Sequence, residues 1–205
     1  MAELCLQGVP MVALGKVCQY SKNRVGAKSL NSENYVGVDN LLPNKQGKKS
    51  SDYVPIEGNL IAYELGDILI GNIRPYLKKI WLADNRGGTN GDVLVFQIKK
   101  EYKDKLLSKY LYYVLSSDLF FTYNTQHSKG AKMPRGDKVA NMKYEFLLPP
   151  LEIQQVIVDI LDKFDMLVND LNTGLPAEIN ARRQQYEYYR NKLLTFKECK
   201  NDFNV

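Results

Sequence analysis

The segment 72–79, between two apolar runs, carries side chains suited to holding a phosphate and to reading the edge of a base. Arginine and lysine bind phosphates and guanine, and asparagine binds adenine, in the major groove of DNA. Pro75 stiffens the predicted turn, which would direct the neighbouring side chains outward. The residues predicted to make contact are Asn72, Arg74, Tyr76 and Lys78. A charged hairpin that simply faces solvent is the alternative for this segment.

A second basic segment, 128–136, carries three cations beside glycines that let a backbone approach a phosphate closely. Its candidate residues are Lys129, Lys132 and Arg135, with a plain surface loop as the alternative. The two arginines of these segments are the predicted base readers, and the lysines are the predicted phosphate ligands. Asn90 is a weaker candidate, because a turn before a strand already explains the segment 89–92. The loop with Lys45, Lys48 and Lys49 suits phosphates too, but a flexible solvated loop is at least as good an interpretation.

Several common motifs of catalytic and cofactor sites are missing from the sequence. Its single histidine, His127, gives little support to a histidine-based metal site or to a Ser-His-Asp triad. The chain has neither a GxxxxGK[ST] phosphate loop nor a GxGxxG motif after a strand. Its 3 cysteines share no metal-ligand spacing and are typical of reduced cytosolic thiols. We therefore predict a non-catalytic protein with no metal and no cofactor of its own.

Positive charge is concentrated in the first part of the chain. Residues 1–150 carry 21 Lys and Arg residues against 14 Asp and Glu residues, whereas residues 151–205 carry 7 against 9. A basic domain suits a polyanionic partner, although a modest excess of lysine is also common on ordinary surfaces. No apolar run approaches the ~20 residues that span a membrane, and no signal peptide is recognised at the start. The sequence thus favours a cytoplasmic protein.

The elements that must position the basic segments are short strands and a helix. Strands are predicted at 35–38, 60–63, 68–70, 80–83, 93–98 and 144–148, where β-branched and aromatic residues lie between turn signals. Apolar residues at helical spacing predict an amphipathic helix over 103–123. The pattern predicts an α+β fold for residues 1–150, with helices and a small, curved, mostly antiparallel sheet.

Residues 151–171 carry apolar side chains at alternating steps of four and three, which places a heptad seam on one helix face. After a break at 172–174, a second helix that opens near Pro176 keeps a similar spacing. The seam residues predicted to dock a second copy or other subunits are Ile153, Ile157, Ile160, Phe164, Leu167, Leu171, Ile179, Tyr186, Tyr189 and Leu193. The alternative is a helical hairpin that closes the protein's own core.

The two predicted helices have opposite net charges, −4 over 151–171 and +2 over 176–198. Opposite charge favours one helix lying beside the other, either within one chain or between two chains. At ~1.5 Å per residue the first helix is a rod of about 31 Å, close to the ~34 Å turn of B-DNA. Residues 151–205 are therefore predicted to form a long helical spacer of the antiparallel coiled-coil type.

Several separate segments resemble, in the right order, the target recognition domain of the specificity subunits of Type I restriction–modification systems. In the first half these are GDILI at 66–70, NIRP at 72–75, KIWLAD at 79–84 and DVLV at 92–95. KMPR at 132–135, LPPL at 148–151 and ILDKFD at 160–165 resemble that family's entry into its spacer helix. LPAEI at 175–179 and ARRQQYEYYR at 181–190 match it as well. The resemblance covers roughly residues 60–197, and residues 20–58 carry no family mark.

The resemblance implies a subunit that reads a sequence on double-stranded DNA and does no chemistry itself. In this family the subunit holds two modification subunits, which are methyltransferases that use S-adenosylmethionine. Restriction subunits, which use ATP, can join them. Members usually carry two recognition domains and two spacers, and this chain carries one of each. It therefore resembles a half-length specificity subunit, which as a homodimer would read a bipartite palindromic site.

The residues and the resemblance together predict a sequence-specific DNA-binding subunit. Its recognition domain is predicted at 1–150, and its spacer and dimerisation region at 151–205. One alternative is a helical assembly protein with only non-specific affinity for DNA, which would select no sequence from a randomised duplex pool. A second alternative is an enzyme that acts on nucleic acid, which would modify or cut DNA on its own.

Overall fold

The computed structural model describes residues 8–169 and 175–193. The chain divides into two compact units, Met1–Val158 and Asp159–Val205. The first unit reaches past residue 150, where the recognition domain is predicted to end. It does so because the first turns of the following helix pack on the domain through the buried side chains of Gln154 and Val158. The spacer helix thus begins as part of the recognition domain.

Short strands dominate the first unit. The described residues contain β1 (Met11–Ala13), β2 (Cys18–Tyr20), β3 (Arg24–Gly26), β4 (Tyr35–Val36), β5 (Asn59–Tyr63), β6 (Ile68–Gly71), β7 (Ile80–Leu82), β8 (Gly87–Thr89), β9 (Val93–Ile98) and β10 (Glu145–Leu147). The strands predicted from β-branched and aromatic runs are confirmed as β4, β5, β6, β7, β9 and β10, with ends that shift by up to two residues.

A four-stranded sheet in the order β2-β9-β6-β7 forms the centre of the first unit, and all its pairs are antiparallel. Along β6, Ile68 and Ile70 contribute to one apolar cluster and Leu69 to another, because alternate side chains point to opposite faces. Burial on both faces explains why this strand is apolar throughout. Gly71 pairs with Val93, so the segments that follow β6 and precede β9 leave the sheet at the same end.

A second four-stranded sheet, β3-β5-β8-β4, adds residues to the apolar cluster that holds Leu69. Its strand β8 was not predicted, because Gly87-Gly88 has the sequence of a turn. A Cβ at Gly87 would lie 1.9 Å from the carbonyl oxygen of Asn34, so only glycine allows this close approach. The predicted mostly antiparallel pairing is confirmed, with one parallel pair, β4–β8. The strands form two four-stranded sheets and a two-stranded ribbon, β1-β10, where a single sheet was predicted.

Four helices of the first unit surround its larger apolar cluster. They are α1 (Leu14–Val17), α2 (Ser108–Ser116), α3 (Asp118–Gln126) and α4 (Lys138–Lys143). The single helix predicted over 103–123 is therefore two helices, α2 and α3. The break is at Ser117, which is extended and whose hydroxyl accepts a hydrogen bond from the backbone N–H of Phe120 at 3.2 Å.

The start of helix α5 (Leu151–Asn169) is hydrogen-bonded to the recognition domain through one amide side chain. Gln154 is fully buried, and its Oε1 accepts a hydrogen bond from the backbone N–H of Leu107 at 2.9 Å. Its Nε2 donates to the carbonyl oxygens of Lys105 and Pro149 at 2.8 and 2.7 Å. Every strong hydrogen-bonding position of this amide but one is used, which fixes the first turns of α5.

The second unit contains the later part of α5 and the helix α6 (Leu175–Leu193). Two long helices were predicted here, and the described residues contain both. The predicted break at 172–174 lies outside the described residues. Within 8–169 and 175–193, no helix has the apolar 18-residue stretch needed to cross a membrane.

Candidate nucleic-acid interface

The segment between β6 and β7 is a tight turn with an unusual backbone. Pro75–Leu77 form one turn of 3-10 helix, and the residues on either side of it are left-handed, with φ of 53° at Arg74 and 51° at Lys78. Non-glycine residues adopt this conformation uncommonly, and it reverses the chain sharply. Arg74 is exposed as a result, and Tyr76 beside it is 51% exposed.

The second basic segment is hydrogen-bonded to the first. Lys129 and Arg135 exchange backbone hydrogen bonds of 2.9 and 2.8 Å, which closes the loop between them. The backbone N–H of Arg74 donates to the carbonyl oxygen of Pro134 at 2.7 Å. The N–H of Gly136 donates to the carbonyl oxygen of Asn72 at 3.1 Å. The structure therefore brings the two predicted clusters together, although they lie far apart in sequence.

Two further segments join these loops. The N–H of Asn72 donates to the carbonyl oxygen of Asp92 at 2.8 Å, which attaches the turn that contains Asn90. On the other side, the backbone N–H groups of Asn44 and Lys45 donate to the 72–78 segment, each at 2.9 Å. We call the resulting region, formed by residues 44–45, 72–78, 90–92 and 128–136, the four-loop surface. The loop with Lys45 suited phosphates by residue type, but its attachment to the 72–78 segment could not be predicted from the sequence.

Several cations of the four-loop surface have a carboxylate partner within the protein. Arg135 Nη2 lies 3.0 Å from Asp92 Oδ1, and Lys129 Nζ lies 2.6 Å from Asp137 Oδ2. Asp137 also caps α4, where it accepts hydrogen bonds from the N–H groups of Val139 and Ala140 at 2.8 and 3.0 Å. The Lys129 ammonium and these two N–H groups lower the pKa of Asp137 to about 2. The lysine is therefore held beside a carboxylate that stays ionised.

Two cations of the four-loop surface have no such carboxylate partner. Among the described residues, Arg74 and Lys132 have no carboxylate within ion-pair distance, and both are exposed. Tyr76 lies two residues after Arg74, and Met133 directly follows Lys132; they are 51% and 49% exposed. The four-loop surface thus presents two unpaired positive charges beside large apolar side chains, a combination that suits the phosphates and bases of a nucleic acid.

The position of two predicted contact residues differs from the expectation. Asn72 is only 5% exposed, and its Oδ1 faces inward without a hydrogen-bond partner in the described structure. Asn90 is half-buried, and its Oδ1 accepts the backbone N–H of Asp92 at 3.1 Å. Asn72 is therefore turned away from solvent in this structure, and the Oδ1 of Asn90 binds the backbone of its own loop, as polar side chains in tight turns often do. Contact of either residue with DNA stays a prediction.

Gly136 lets the 128–136 loop pack against these buried amides. A Cβ at this position would lie 2.3 Å from Oδ1 of the fully buried Asn124 and 2.9 Å from Oδ1 of Asn72. We expect Gly136→Ala to lower the free energy of unfolding by about 1–3 kcal/mol, because the buried amides have no room to move away. Urea denaturation measures the change.

Gly91→Ala is the matched control, because the same change in the neighbouring turn meets no atom within 4 Å. It should leave the urea midpoint nearly unchanged. Equal stability losses in the two variants would contradict the close approach at Gly136.

The predicted docking residues of the helices fall into two groups. Ile153 and Ile157 are half-buried, and Ile157 packs against the core of the recognition domain. Further along, the seam is open: Ile160, Phe164, Leu167, Ile179 and Tyr189 are 43, 60, 55, 61 and 59% exposed. Leu171 lies outside the described residues, as do the side chains of Tyr186 and Leu193. The docking role of these exposed side chains stays a prediction.

A family model described as the Type I restriction modification DNA specificity domain matches residues 7–181. The chain is 32% identical over 154 residues to a putative type I specificity subunit of Mycoplasma pneumoniae, S.MpnORF285P, which covers 74% of this chain and 45% of that protein. It is 37% identical over 93 residues to the specificity subunit of the Type I restriction enzyme EcoR124I/EcoR124II of Escherichia coli, covering 45% of this chain and 23% of that one.

Solved structures show the same fold. The HsdS subunit from Thermoanaerobacter tengcongensis superposes with a TM-score of 0.66 at 18% identity, over 96% of this chain and 51% of that chain. The S subunit of a Type I restriction–modification system from M. genitalium gives a TM-score of 0.53 at 14% identity, over 91% and 46%. The chain spans about half the length, or less, of these relatives. The family model covers most of the sequence, and this chain therefore belongs to the family of Type I restriction–modification DNA specificity proteins.

Proposed function

We propose that this chain is the DNA-reading subunit of a Type I restriction–modification complex, and that the four-loop surface reads one half of a bipartite site. Membership of the specificity family supports the role. The observation that carries the assignment of the surface is the joining of two basic loops, which leaves Arg74 and Lys132 exposed and unpaired. The first loop starts from the buried sheet at β6, and the second, which lies between α3 and α4, is hydrogen-bonded to the first. The side chains of both loops are therefore held in place before DNA arrives.

Each side chain then has a chemical role. The guanidinium of Arg74 suits the O6 and N7 acceptors of guanine in the major groove. Lys132 suits a backbone phosphate, and the exposed ring of Tyr76 offers a face to sugar or base. Arg135 and Lys129 can exchange their carboxylate partners for phosphates, since exposed ion pairs contribute little to stability.

A second copy of the chain supplies the other half of the site in this proposal. The open row of Ile160, Phe164 and Leu167 on α5 gives a surface for pairing between copies. The described α5 has 19 residues, so at ~1.5 Å per residue it is about 28 Å long. Two recognition domains joined by such helices fit a bipartite site whose halves lie about one turn of DNA apart.

The same helices are the proposed attachment points for methyltransferase and restriction subunits. Relatives named as specificity subunits of Type I restriction enzymes support these partners. In the proposal the methyltransferase subunits bring S-adenosylmethionine and the restriction subunits bring ATP, while this chain does no chemistry. Incubation of the purified chain with S-adenosylmethionine and DNA should therefore transfer no methyl group.

Selection from a randomised duplex pool, with the chain bound to its methyltransferase subunits, tests the proposed function. We expect enrichment of one two-part site. The double change Arg74→Ala with Lys132→Ala should weaken binding to that site and lower the slope of log affinity against log salt by about one unit, since the one lysine that meets a phosphate contributes ~0.9. The loss of Arg74 should also lower discrimination at one base position.

The matched control is Lys100→Ala with Lys103→Ala, which removes the same charge. Both lysines are exposed. They follow the C-terminal end of β9, whereas Asp92 of the four-loop surface precedes its N-terminal end. This control should leave the salt slope and the selected sequence unchanged. A pool with no enriched sequence would contradict the proposal and favour an assembly protein without sequence preference.

A further inference from the structure

Two lysines from different loops share one carboxylate oxygen at the edge of the four-loop surface. Lys78 Nζ lies 2.8 Å from Asp118 Oδ1, and Lys45 Nζ lies 3.2 Å from the same atom. Asp118 is the first residue of α3, and its side chain is 71% exposed. One exposed oxygen held by two ammonium groups has the arrangement that a phosphate oxygen takes between basic side chains.

The backbone holds the two lysines together independently of Asp118. The N–H of Lys45 donates to the carbonyl oxygen of Lys78, and the N–H of Asn44 donates to that of Leu77, each at 2.9 Å. All non-glycine residues with positive φ in the described parts of the chain lie in these two loops, at Asn44, Lys45, Arg74 and Lys78. Such conformations persist only where the surrounding structure imposes them, and they cluster at binding sites. The lysine pair is therefore built into the fold.

Asp118 closes this pair weakly. Its pKa is lowered by the hydrogen bonds from Lys78 and Lys45, so the carboxylate is ionised at neutral pH. Ion pairs exposed to this degree are screened by solvent and contribute little to stability. A phosphate that approaches the same two ammonium groups can therefore replace the carboxylate at little cost. DNA that is not held by the rest of the surface meets a lysine pair whose charge Asp118 partly neutralises.

We propose that Lys45 and Lys78 form a binding site for one phosphate of the DNA backbone, and that Asp118 occupies this site in the free protein and lowers non-specific affinity. The inference rests on the proposed DNA-binding function and adds to it a site and a residue that opposes binding. Lysine pairs without such a carboxylate would bind any duplex. With it, the phosphate site fills only when contacts at the rest of the surface hold the DNA in place.

The test compares Asp118→Asn with the wild-type protein on a mixed-sequence duplex without the target site. The net charge of the triad rises from +1 to +2 in this variant, so the salt slope should steepen by about one unit. Non-specific affinity should rise about eightfold near 0.1 M salt for the same reason. Discrimination between target and non-target DNA should fall.

Asp52→Asn is the matched control, because Asp52 also forms an exposed ion pair with one lysine, Lys49, at 3.0 Å. It changes the net charge of the protein by the same amount, and it should leave the salt slope unchanged. Equal effects of the two substitutions would overturn the proposal and leave only a general charge effect. Adding Lys45→Ala and Lys78→Ala to Asp118→Asn should remove the gain, and a gain that persists would also overturn it.

A second measurement separates this site from DNA binding as a whole. Titration with inorganic pyrophosphate, followed by ³¹P NMR, should show binding to Asp118→Asn that the two lysine substitutions abolish. If the protein bound no DNA but bound pyrophosphate in this manner, the proposed function would fail while the phosphate site would stand. If wild-type DNA binding depended steeply on salt but Asp118→Asn changed the binding of neither DNA nor pyrophosphate, the phosphate site would fail while the proposed function would stand.

Discussion

Replacing Ile160, Phe164 and Leu167 together with aspartate is expected to make the protein monomeric and to weaken its binding to the target site by a factor on the order of 100 or more. These side chains are 43, 60 and 55% exposed on α5. Pairing between two copies would bury them, and three carboxylates in that contact would each be desolvated without a partner. The loss in DNA binding follows because the second recognition domain is no longer held near its half-site.

Sedimentation velocity and titration of a duplex that carries both half-sites measure the two effects. Gln155→Asp with Lys163→Asp is the matched control, because it adds the same negative charge at exposed polar positions of the same helix. The control should remain a dimer with nearly unchanged affinity. A triple variant that stays dimeric would show that this row is not the contact, and a monomer with full affinity would show that the two heads act independently.

The apolar side chains of the α5 heptad pattern change from half-buried to exposed along the helix. Its first members, Ile153 and Ile157, are half-buried, and Ile157 lies against the recognition domain. From Ile160 onward the same pattern is exposed. A periodic apolar row indicates that a helix face packs against a partner. It does not indicate which partner, because burial against the same chain and burial against another chain require the same residue types. That is why the sequence alone left a helical hairpin and an assembly seam both open.

Local patterns predicted the fold better than they predicted its joins. The strand at 68–71 follows from a β-branched run, and the break before α3 has a signal in the capping pair Ser117-Asp118 that a helix prediction over 103–123 ignored. Strand β8 has no such signal, since Gly87 is required by the carbonyl of Asn34, and a Cβ at Gly88 would lie 2.7 Å from side-chain carbons of Leu30 and Val25. These neighbours lie far away in the sequence. The existence of β8 depends on tertiary contact, which outweighs the low strand preference of glycine.

The candidate site was predictable as separate loops and not as a surface. Residue type alone singled out Arg74 and Lys132, which the structure leaves exposed and unpaired. The pairing of Lys78 with Asp118, and the attachment of the loop at 44–45, come from contacts between distant segments. The buried position of Asn72 has the same origin, because Gly136 covers it from another loop. Composition describes what a loop can bind, and only the fold decides which side chains remain free to do so.

Gln154→Leu is expected to lower the free energy of unfolding by about 2 kcal/mol or more, since it leaves one buried and two part-buried backbone groups without a partner, and a fully buried group costs ~1–3 kcal/mol. The groups are the N–H of Leu107 and the carbonyls of Lys105 and Pro149. Urea denaturation of the whole chain measures the loss. A decrease below about 1 kcal/mol, within the range of a single ordinary hydrogen bond, would contradict the importance of the three Gln154 hydrogen bonds.

Gln154→Glu separates the contribution of the Gln154 hydrogen bonds from that of side-chain packing, because it keeps the shape of the side chain and changes only its hydrogen bonds. The new carboxylate still accepts from Leu107 N–H but faces the carbonyl oxygens of Lys105 and Pro149, to which the amide donated. Burial and these two dipoles should raise the carboxyl pKa of the folded state above the unfolded value of ~4.3. The folded variant then binds a proton more tightly than the unfolded one, so its stability deficit should shrink as the pH falls from 8 towards 5.

The sign of this pH dependence distinguishes it from the protein's own carboxylates. The pKa of Asp137, lowered to about 2 by Lys129 and two backbone N–H groups, gives stability that is present above the unfolded value and lost as the pH falls through the folded one. That contribution is common to wild type and variant, so it cancels in their difference. A difference that shrinks on acidification therefore reports the new carboxyl group, whereas a constant difference would mean that residue 154 acts through packing alone. The Gln154 amide joins the recognition domain to α5, which carries the exposed apolar row. Loss of its hydrogen bonds should therefore also widen the range of half-site spacings that the protein accepts.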